Sequence, residues 1–599
     1  MIRVADFIIN FISDVLGVKD VFMVSGGGIM HLTDALAQNN KLNIICTHHE
    51  QTSSMALEAY SRTTENFGVG FFTTGPGATN AITGLVGAWQ DSVPCLFISG
   101  QSKRKETIYN SGIKELRQFG VQEVNIVPIV ESVTKRAIML NNPEDVKYEL
   151  EKMVYIARNG RPGPVWIDVP LDVQGALIEP LTLRSFEPTE LEPNKKLPTD
   201  DETKRFESLL KESKRPIIIA GQGVRIASAL AEFREFIEKY QIPVVTTYLG
   251  IDVLGHNHFL NIGPIGIKGS RAGNFAVQNS DLVISIGSSL HVGVIGYEYN
   301  LFAREAKKIV VDIDETAHLK KTINIDQLIK ADAKAFLISV LNLPDMNFDS
   351  GWLPICKKWK EKYPVCLDEY QLTKERINKY YFVEKLSEIS NEEDIIISDA
   401  GSAYYAVSQG IKIKGKQRYI TSGALATMGY TLPAAIGACV ATKRRVLGIT
   451  GDGSFQFNIQ ELQTLNHYNL PVKLFVLNND GYLSIRFTQE RFFEKRYLGE
   501  GPCSGISFPE LESIANAYGI KFFRADQSHE LETVIKQVLE FDGPVICEIM
   551  TPPDQLIIPT VSSMKKDDGT MVSKPMEDMF PFLDREEFLS NMIVKPLKE

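Results

Sequence analysis

Two short segments carry the residue types that hold a hard metal ion against a phosphate. Gly451-Asp452-Gly453-Ser454 follows the apolar run RVLGIT, and Asn478-Asn479 follows the apolar run VKLFVL, with 27 positions (479 − 452) between Asp452 and Asn479. Asp452 offers an anionic oxygen and Asn479 a neutral one. Magnesium takes roughly six oxygens, commonly one or two from side chains and the rest from phosphate, backbone and water. The expectation is a magnesium site with Asp452 and Asn479 as side-chain ligands and the Gly481 carbonyl as a third protein ligand. Gly451 and Gly453 would let the backbone approach a phosphate, and the N-terminus of a helix expected to begin near Ile459 would favour an anion. Alone, Gly-Asp-Gly is an ordinary turn. The paired asparagines after a second strand-like run give it chemical meaning.

Other residues invite chemistry less specifically. Glu50 follows Cys46-Thr47-His48-His49 at a strand-to-helix junction. A carboxyl in a dry pocket can share a proton at neutral pH, but Glu50 also reads as an N-terminal carboxylate favoured by the helix dipole. Thr74 to Asn80, with Pro76 inside it, reads as a turn after a strand. Gln101 ends Ser99-Gly100-Gln101. His31 follows Gly26-Gly27-Gly28; Gly27 allows close backbone approach, and His31 could orient or protonate a bound carbonyl or be structural. Gly401 and Ser402 follow IIISDA. Met428, after Ala426 and Thr427, reads as core packing when taken alone.

These residues need a frame. Short β-branched runs such as NIICTHH, PIIIAGQG, DLVISIG and PVICEIM alternate with amphipathic stretches along the chain. Buried parallel strands with helical crossovers read this way, and the expected fold class is α/β, with three doubly wound parallel-sheet domains. Their expected bounds are 1–180, 204–343 and 376–560, joined by a linker at 181–203 and an irregular connection at 344–375, with a mixed tail at 561–599. Both metal-site segments then fall at the carboxyl ends of parallel strands, where open α/β sheets bind ligands. The 599 residues are 44% hydrophobic, with a formal net charge of −10. That composition gives no global basic field for nucleic acid. Seven scattered cysteines without a CxxC pair fit a reducing cytoplasm. The N-terminus reads as an amphipathic helix and not a signal peptide, and no apolar run is long enough for a membrane span.

GDGSFQFNIQEL through VLNND resembles the thiamine diphosphate motif of that enzyme superfamily. HHEQTSSMALEAYSR, TTGPGATN, ISGQ, GRPGPVWIDVP and ATMGYTLPAAIG resemble its acetolactate synthase branch, in the same order. The resemblance covers most of residues 1–555. It implies pyrimidine-binding, central and diphosphate-binding domains, thiamine diphosphate with Mg2+, and an active site between two subunits of a homodimer or homotetramer. It makes Glu50 the carboxyl on the cofactor pyrimidine, with Pro76 and Asn80 beside it and Gln101 donating to a substrate oxygen. Met428 becomes the wedge beneath the cofactor, Ala426 a carbonyl that accepts from its amine, and Gly401, Ser402, Gly451, Gly453, Ser454 and Tyr482 its diphosphate-side neighbours. The implied reaction is decarboxylation of pyruvate or a related 2-oxo acid and transfer of the two-carbon unit to a second carbonyl. A simple decarboxylase, a 1,2-diketone-cleaving enzyme and a non-catalytic assembly subunit are the alternatives.

The pattern departs from the familiar synthases in three places. Val121 stands for an expected phenylalanine, His48 for an expected arginine, and Tyr482–Arg486 for a Glu- and Gln-containing segment. With His31, these point to an altered acceptor such as a sugar or other larger ketone. Gly221-Gln222-Gly223 and Pro264 to Gly269 resemble flavin-binding turns, but Ser289 and Gly293 replace expected arginines, which leaves FAD open.

Overall fold

The computed structural model describes residues 1–191, 197–346, 348, 351–373, 375–565 and 570–597. Parts of both expected connections (192–196, 347, 349, 350 and 374) and of the tail (566–569, 598 and 599) lie outside the described residues. Three six-stranded, all-parallel sheets are present. The first contains β1 (Asp20–Met23), β2 (Asn43–Cys46), β3 (Gly68–Phe72), β4 (Cys95–Gln101), β5 (Arg136–Met139) and β6 (Val165–Pro170). The second contains β7 (Pro216–Ala220), β8 (Val244–Thr246), β9 (Asn261–Pro264), β10 (Leu282–Ile286), β11 (Lys307–Asp312) and β12 (Gln327–Lys330). The third contains β13 (Ile395–Ser398), β14 (Arg418–Thr421), β15 (Val446–Gly451), β16 (Val472–Asn478), β17 (Lys521–Ala525) and β18 (Val545–Met550). Runs such as Ile217–Ile219 and Ile395–Ile397 are wholly buried, as expected of strands covered by helices on both faces.

The strand orders place the candidate residues. The first sheet runs β2-β1-β3-β4-β6-β5 and the third β14-β13-β15-β16-β18-β17, which is one topology used twice. The central sheet runs β9-β8-β7-β10-β11-β12. Order reverses between β1 and β3 in the first sheet and between β13 and β15 in the third. Such a switch point leaves a crevice at the strands' carboxyl ends. Gly26–Gly28 and Thr73–Asn80 follow β1 and β3; Asp399–Ser402 and Asp452–Ser454 follow β13 and β15.

Several expected boundaries move. A helix of the central domain starts at Asp200, inside the expected linker, because Thr199 and Glu202 form a capping box. The second connection is not irregular throughout: Trp352–Lys362 is a helix whose Trp352, Cys356 and Trp359 share one buried face. A helix begins at Ile459 as expected, though another precedes it. A short one starts at Asp452 itself, then Asn458 takes a left-handed conformation (φ 64°) and a 3-10 turn leads into Leu462–His467. The tail is part of the central domain's surface, since the Arg271 guanidinium donates to the carbonyls of Met579 and Pro581 and Asn274 Nδ2 donates to Met576 O. Among the described residues no helix is long and apolar enough to cross a membrane.

First and third domains share one core. The helices Glu50–Thr64 and Thr431–Thr442 pack where Gly437 meets Ala56: a Cβ on Gly437 would lie 2.0 Å from the Ala56 carbonyl oxygen. Beside this contact Arg62 donates to Glu58 and Asp91, and Tyr430 donates to Glu58, all buried.

Candidate active site

Asp452 is 3% exposed and its carboxylate is fixed by main chain. Oδ1 accepts from Gly453 N at 2.8 Å; Oδ2 accepts from Asn479 N and Gly481 N, each at 3.0 Å. Burial pushes this carboxyl above the ordinary range, and the three N–H groups and the charge of Lys379 pull it back only in part. A bound cation would complete that stabilisation. Asn479 is 2% exposed; its Nδ2 donates to Gly481 O at 3.3 Å, while its Oδ1 has no protein partner. A buried amide oxygen left without a donor is costly, on the order of 1–3 kcal/mol, and a hard cation is what such an oxygen accepts. The arrangement therefore fits magnesium, with Asp452, Asn479 Oδ1 and the Gly481 carbonyl as ligands. Among the described residues no group of three His, Cys, Asp or Glu side chains could hold a metal; a magnesium bound through one carboxylate needs none.

The loop that carries Asn479 is braced from behind. Arg486 donates to the carbonyls of Asn479, Asp480 and Pro553 and pairs with Glu500 at 2.6 Å. At this end of the Tyr482–Arg486 segment, the Arg486 guanidinium is thus spent on the loop that carries Asn479. Gly481 sits at φ 144°, and a Cβ there would lie 2.1 Å from Glu500 O. The Tyr482 ring lies against Gly453, where a Cβ would stand 2.0 Å from it. Ser454 donates to Asp399 at 2.5 Å and accepts from Gly429 N at 2.8 Å, so its hydroxyl joins the metal turn to the Met428 segment. Gly401 (φ 62°) and the partly exposed Ser402 begin the helix Gly401–Gly410, and Gly451 has open space where a Cβ would stand. Ala426, exposed at φ 53°, and the half-buried Met428 belong to a segment held by Asp91, which accepts from Gly423 N and Ala424 N.

The first domain gathers a second set. Glu50 opens its helix after His49, whose Nδ1 caps it by accepting from Gln51 N at 3.0 Å. Glu50 Oε2 accepts from Asn80 Nδ2 at 3.0 Å, and Oε1 borders Gly77, where a Cβ would be 3.3 Å away. Pro76 starts the helix that ends at Asn80. Gly26 and Gly28 lie against Thr73 and Thr74, and Gly28 O contacts Gly100; Gly27 is exposed. His31 packs on Gly175, with no hydrogen bond to the Glu50 cluster. Gln101 departs from its expected role. Its Nε2 donates to Val124 O and to Asp168, and its Oε1 accepts from Ser102 N, so no donor is left for a substrate. Asp168 is wholly buried, and burial pushes its carboxyl up to about 7 against the donors Ser99 and Gln101.

Three family models match in order. The thiamine pyrophosphate enzyme N-terminal TPP-binding domain matches residues 2–129, the central domain 203–340 and the C-terminal TPP-binding domain 399–549. The acetolactate synthase large subunit of Lactococcus lactis is 33% identical over 551 residues, 91% of this chain and 92% of the relative. That of Cyanidium caldarium is 32% identical, covering 92% and 93%. Acetolactate synthase 2 of Nicotiana tabacum is 32% identical, covering 91% and 82%. The chain belongs to the thiamine pyrophosphate enzyme family. Thiamine pyrophosphate, the same compound as thiamine diphosphate, is thus its cofactor, and within the family it is an acetolactate synthase-like enzyme.

Sequence reasoning passed over several residues that hold the segments of the candidate site together. Asp91 and Asp399 hold segments far away in sequence. Asn458 bridges Gln51 and Gly429 O, joining the Glu50 helix to the third domain. Lys379 is wholly buried near Asp452, its amine pushed down to about 7 by burial. Only its place after the N-cap Asn378 marks it.

Proposed function

We propose that this enzyme decarboxylates pyruvate or a related 2-oxo acid and transfers the two-carbon unit to a carbonyl acceptor larger than a second pyruvate, a sugar or another extended ketone. The observation behind the metal half of this reading is the unpaired, buried Asn479 Oδ1 beside Asp452. These two and the Gly481 carbonyl would hold Mg2+ and, through it, the diphosphate. The bound cofactor supplies an electron sink for decarboxylation. Glu50, held at Oε2 by Asn80, keeps Oε1 free to exchange a proton with the pyrimidine. Met428 and Ala426, on a segment pinned by Asp91, would orient the cofactor, and no hydrogen bond joins Glu50 to the Asp452 cluster among the described residues. The site is read as completed by a second copy of the chain, in a dimer or tetramer within the cytoplasm, as the resemblance to the acetolactate synthases implies.

A larger acceptor is supported by the loop over Thr74–Gly75. Val121 there is 85% exposed, and a Cβ on Gly75 would meet Gln122 O at 2.1 Å. A valine in place of an aromatic side chain widens the approach. FAD has a place but no anchor. A cavity of about 490 Å³ lies at the carboxyl ends of the central strands, yet its Arg161 is committed to Asp314, Ser92 and Gln90 O and its Arg158 to Asn66. No step is assigned to a flavin. The deciding experiment measures carbon dioxide release and ligation products with pyruvate alone and with a panel of ketones that includes sugar nucleotides. Ligation to a larger ketone is the expected outcome; acetolactate alone would return the enzyme to the ordinary synthase reaction, and acetaldehyde alone to a decarboxylase.

A further inference from the structure

A second cavity, of about 530 Å³, opens between β8–β9, the helix Trp352–Lys362 and the far end of the helix Gly401–Gly410. It shares no residue with the candidate active site. Two features of its wall lack a partner. Asn261 is 6% exposed, and its Oδ1 accepts no hydrogen bond. The amide is fixed that way round, because its Nδ2 donates to Leu254 O at 3.0 Å and Gly255 O at 3.1 Å; a flip would set an oxygen against two carbonyls. Lys360 donates to His256 O and Asn261 O, each at 2.7 Å, which leaves one ammonium hydrogen open.

Charge on this wall is uncompensated. Among the described residues no carboxylate forms an ion pair with Lys360 or with Lys357 beside it, whereas Lys412 is matched by Glu384. Glu361 is an exposed rim residue. Burial pushes the Lys360 amine down to about 8, and His256 is pushed down to about 3 by burial and by Lys360 and Lys412. Water could donate to Asn261 Oδ1, but it would not neutralise Lys360. An anion with a hydroxyl meets both needs, and the volume lies in the range of small-ligand sites, roughly 300–1,000 Å³.

We propose that this cavity is a binding site for a small hydroxylated organic anion, a sugar phosphate or a sugar acid. The anionic group takes the open hydrogen of Lys360 with Lys357 at the rim, and a hydroxyl donates to Asn261 Oδ1.

The test is calorimetric titration of the full chain, saturated with thiamine diphosphate and Mg2+ so that the diphosphate site is filled. Glucose 6-phosphate and gluconate are the probes, which separate phosphate from carboxylate; glucose and inorganic phosphate are the controls. Saturable one-to-one binding of at least one probe is expected, tighter than either control. Lys360→Gln should weaken it by about ten- to a hundredfold, the worth of a charged hydrogen bond. Should that variant fail to fold, the exposed Lys357→Glu carries the test, with a several-fold loss expected. No saturable binding of either probe at millimolar concentration, inorganic phosphate binding as tightly as the probes, or unchanged binding in the folded variants would overturn the proposal.

Discussion

Asn479 presents its amide in two directions, one nitrogen bond to Gly481 O and one oxygen with no donor. Asn479→Leu removes that oxygen at nearly constant volume. We expect magnesium-dependent thiamine diphosphate affinity to fall by at least about tenfold, by analogy with outer-sphere losses at metal sites. The thermal midpoint without cofactor should change little, because the unsatisfied group goes too. Calorimetry with and without Mg2+ reads the first effect; unchanged affinity would remove Asn479 from the ligand set. Asp168 makes a second prediction at this scale. Its carboxyl, pushed up to about 7 by burial, holds its proton more tightly in the folded chain than in the unfolded one. The folded state is therefore favoured at low pH, and this contribution, on the order of 4 kcal/mol, is lost as pH rises from about 4 towards about 7. Asp168→Asn should flatten the pH dependence of the unfolding midpoint between about pH 4 and about pH 7. An equally steep dependence in the variant would show that another group titrates. Asp452 and Asn479 stood out by type and spacing, and the fold brings them together through the Asn479 N–H on Asp452; Glu50 stood out only through the family resemblance. Gln101 was misread because its partners, Val124 and Asp168, come from other segments that spacing does not connect to it.

Glycines set how closely elements approach, and Gly453 is the one with the clearest consequence. The short helix after β15 carries the metal turn, and the Tyr482 ring lies where a Gly453 side chain would go. Gly453→Ala should displace Tyr482 and lower cofactor affinity. In a Tyr482→Ala background the same substitution should cost much less. A coupling of at least about 0.5 kcal/mol is expected for groups in contact; additive losses would place the damage elsewhere. The strands were legible because β-branched runs fully buried in parallel sheets leave little ambiguity. Helix bounds were less so. Trp352–Lys362 hid inside a Pro- and aromatic-containing stretch, although Trp352, Cys356 and Trp359 follow the helical period. The short helix Asp452–Phe455 and the left-handed Asn458 ahead of the expected helix went unread, because neither leaves a mark in a hydrophobic pattern.

Across the whole molecule, a shared βα rhythm predicts three doubly wound sheets but cannot distinguish their strand orders. The first and third domains repeat one order while the central domain has another, since order depends on which crossovers turn back and not on the strands themselves. The repeated pair offers two half-sites at the strands' carboxyl ends, Glu50 with Asn80 in one and Asp452 with Asn479 in the other. If each site joins the first domain of one chain to the third domain of its partner, two inactive variants can complement. Glu50→Gln lacks the activating carboxyl and Asp452→Ala lacks the metal ligand. In a mixed dimer one site combines both defects, while the other combines an intact Glu50 with an intact Asp452. Random exchange of equal amounts in a twofold dimer makes half the dimers mixed, each with one of two sites whole, so about a quarter of wild-type activity should return. The measurement is carbon dioxide release before and after subunit exchange, with each variant alone as the baseline. If both halves instead belonged to one chain, every chain in the mixture would carry a broken site and the exchanged sample would stay at that baseline.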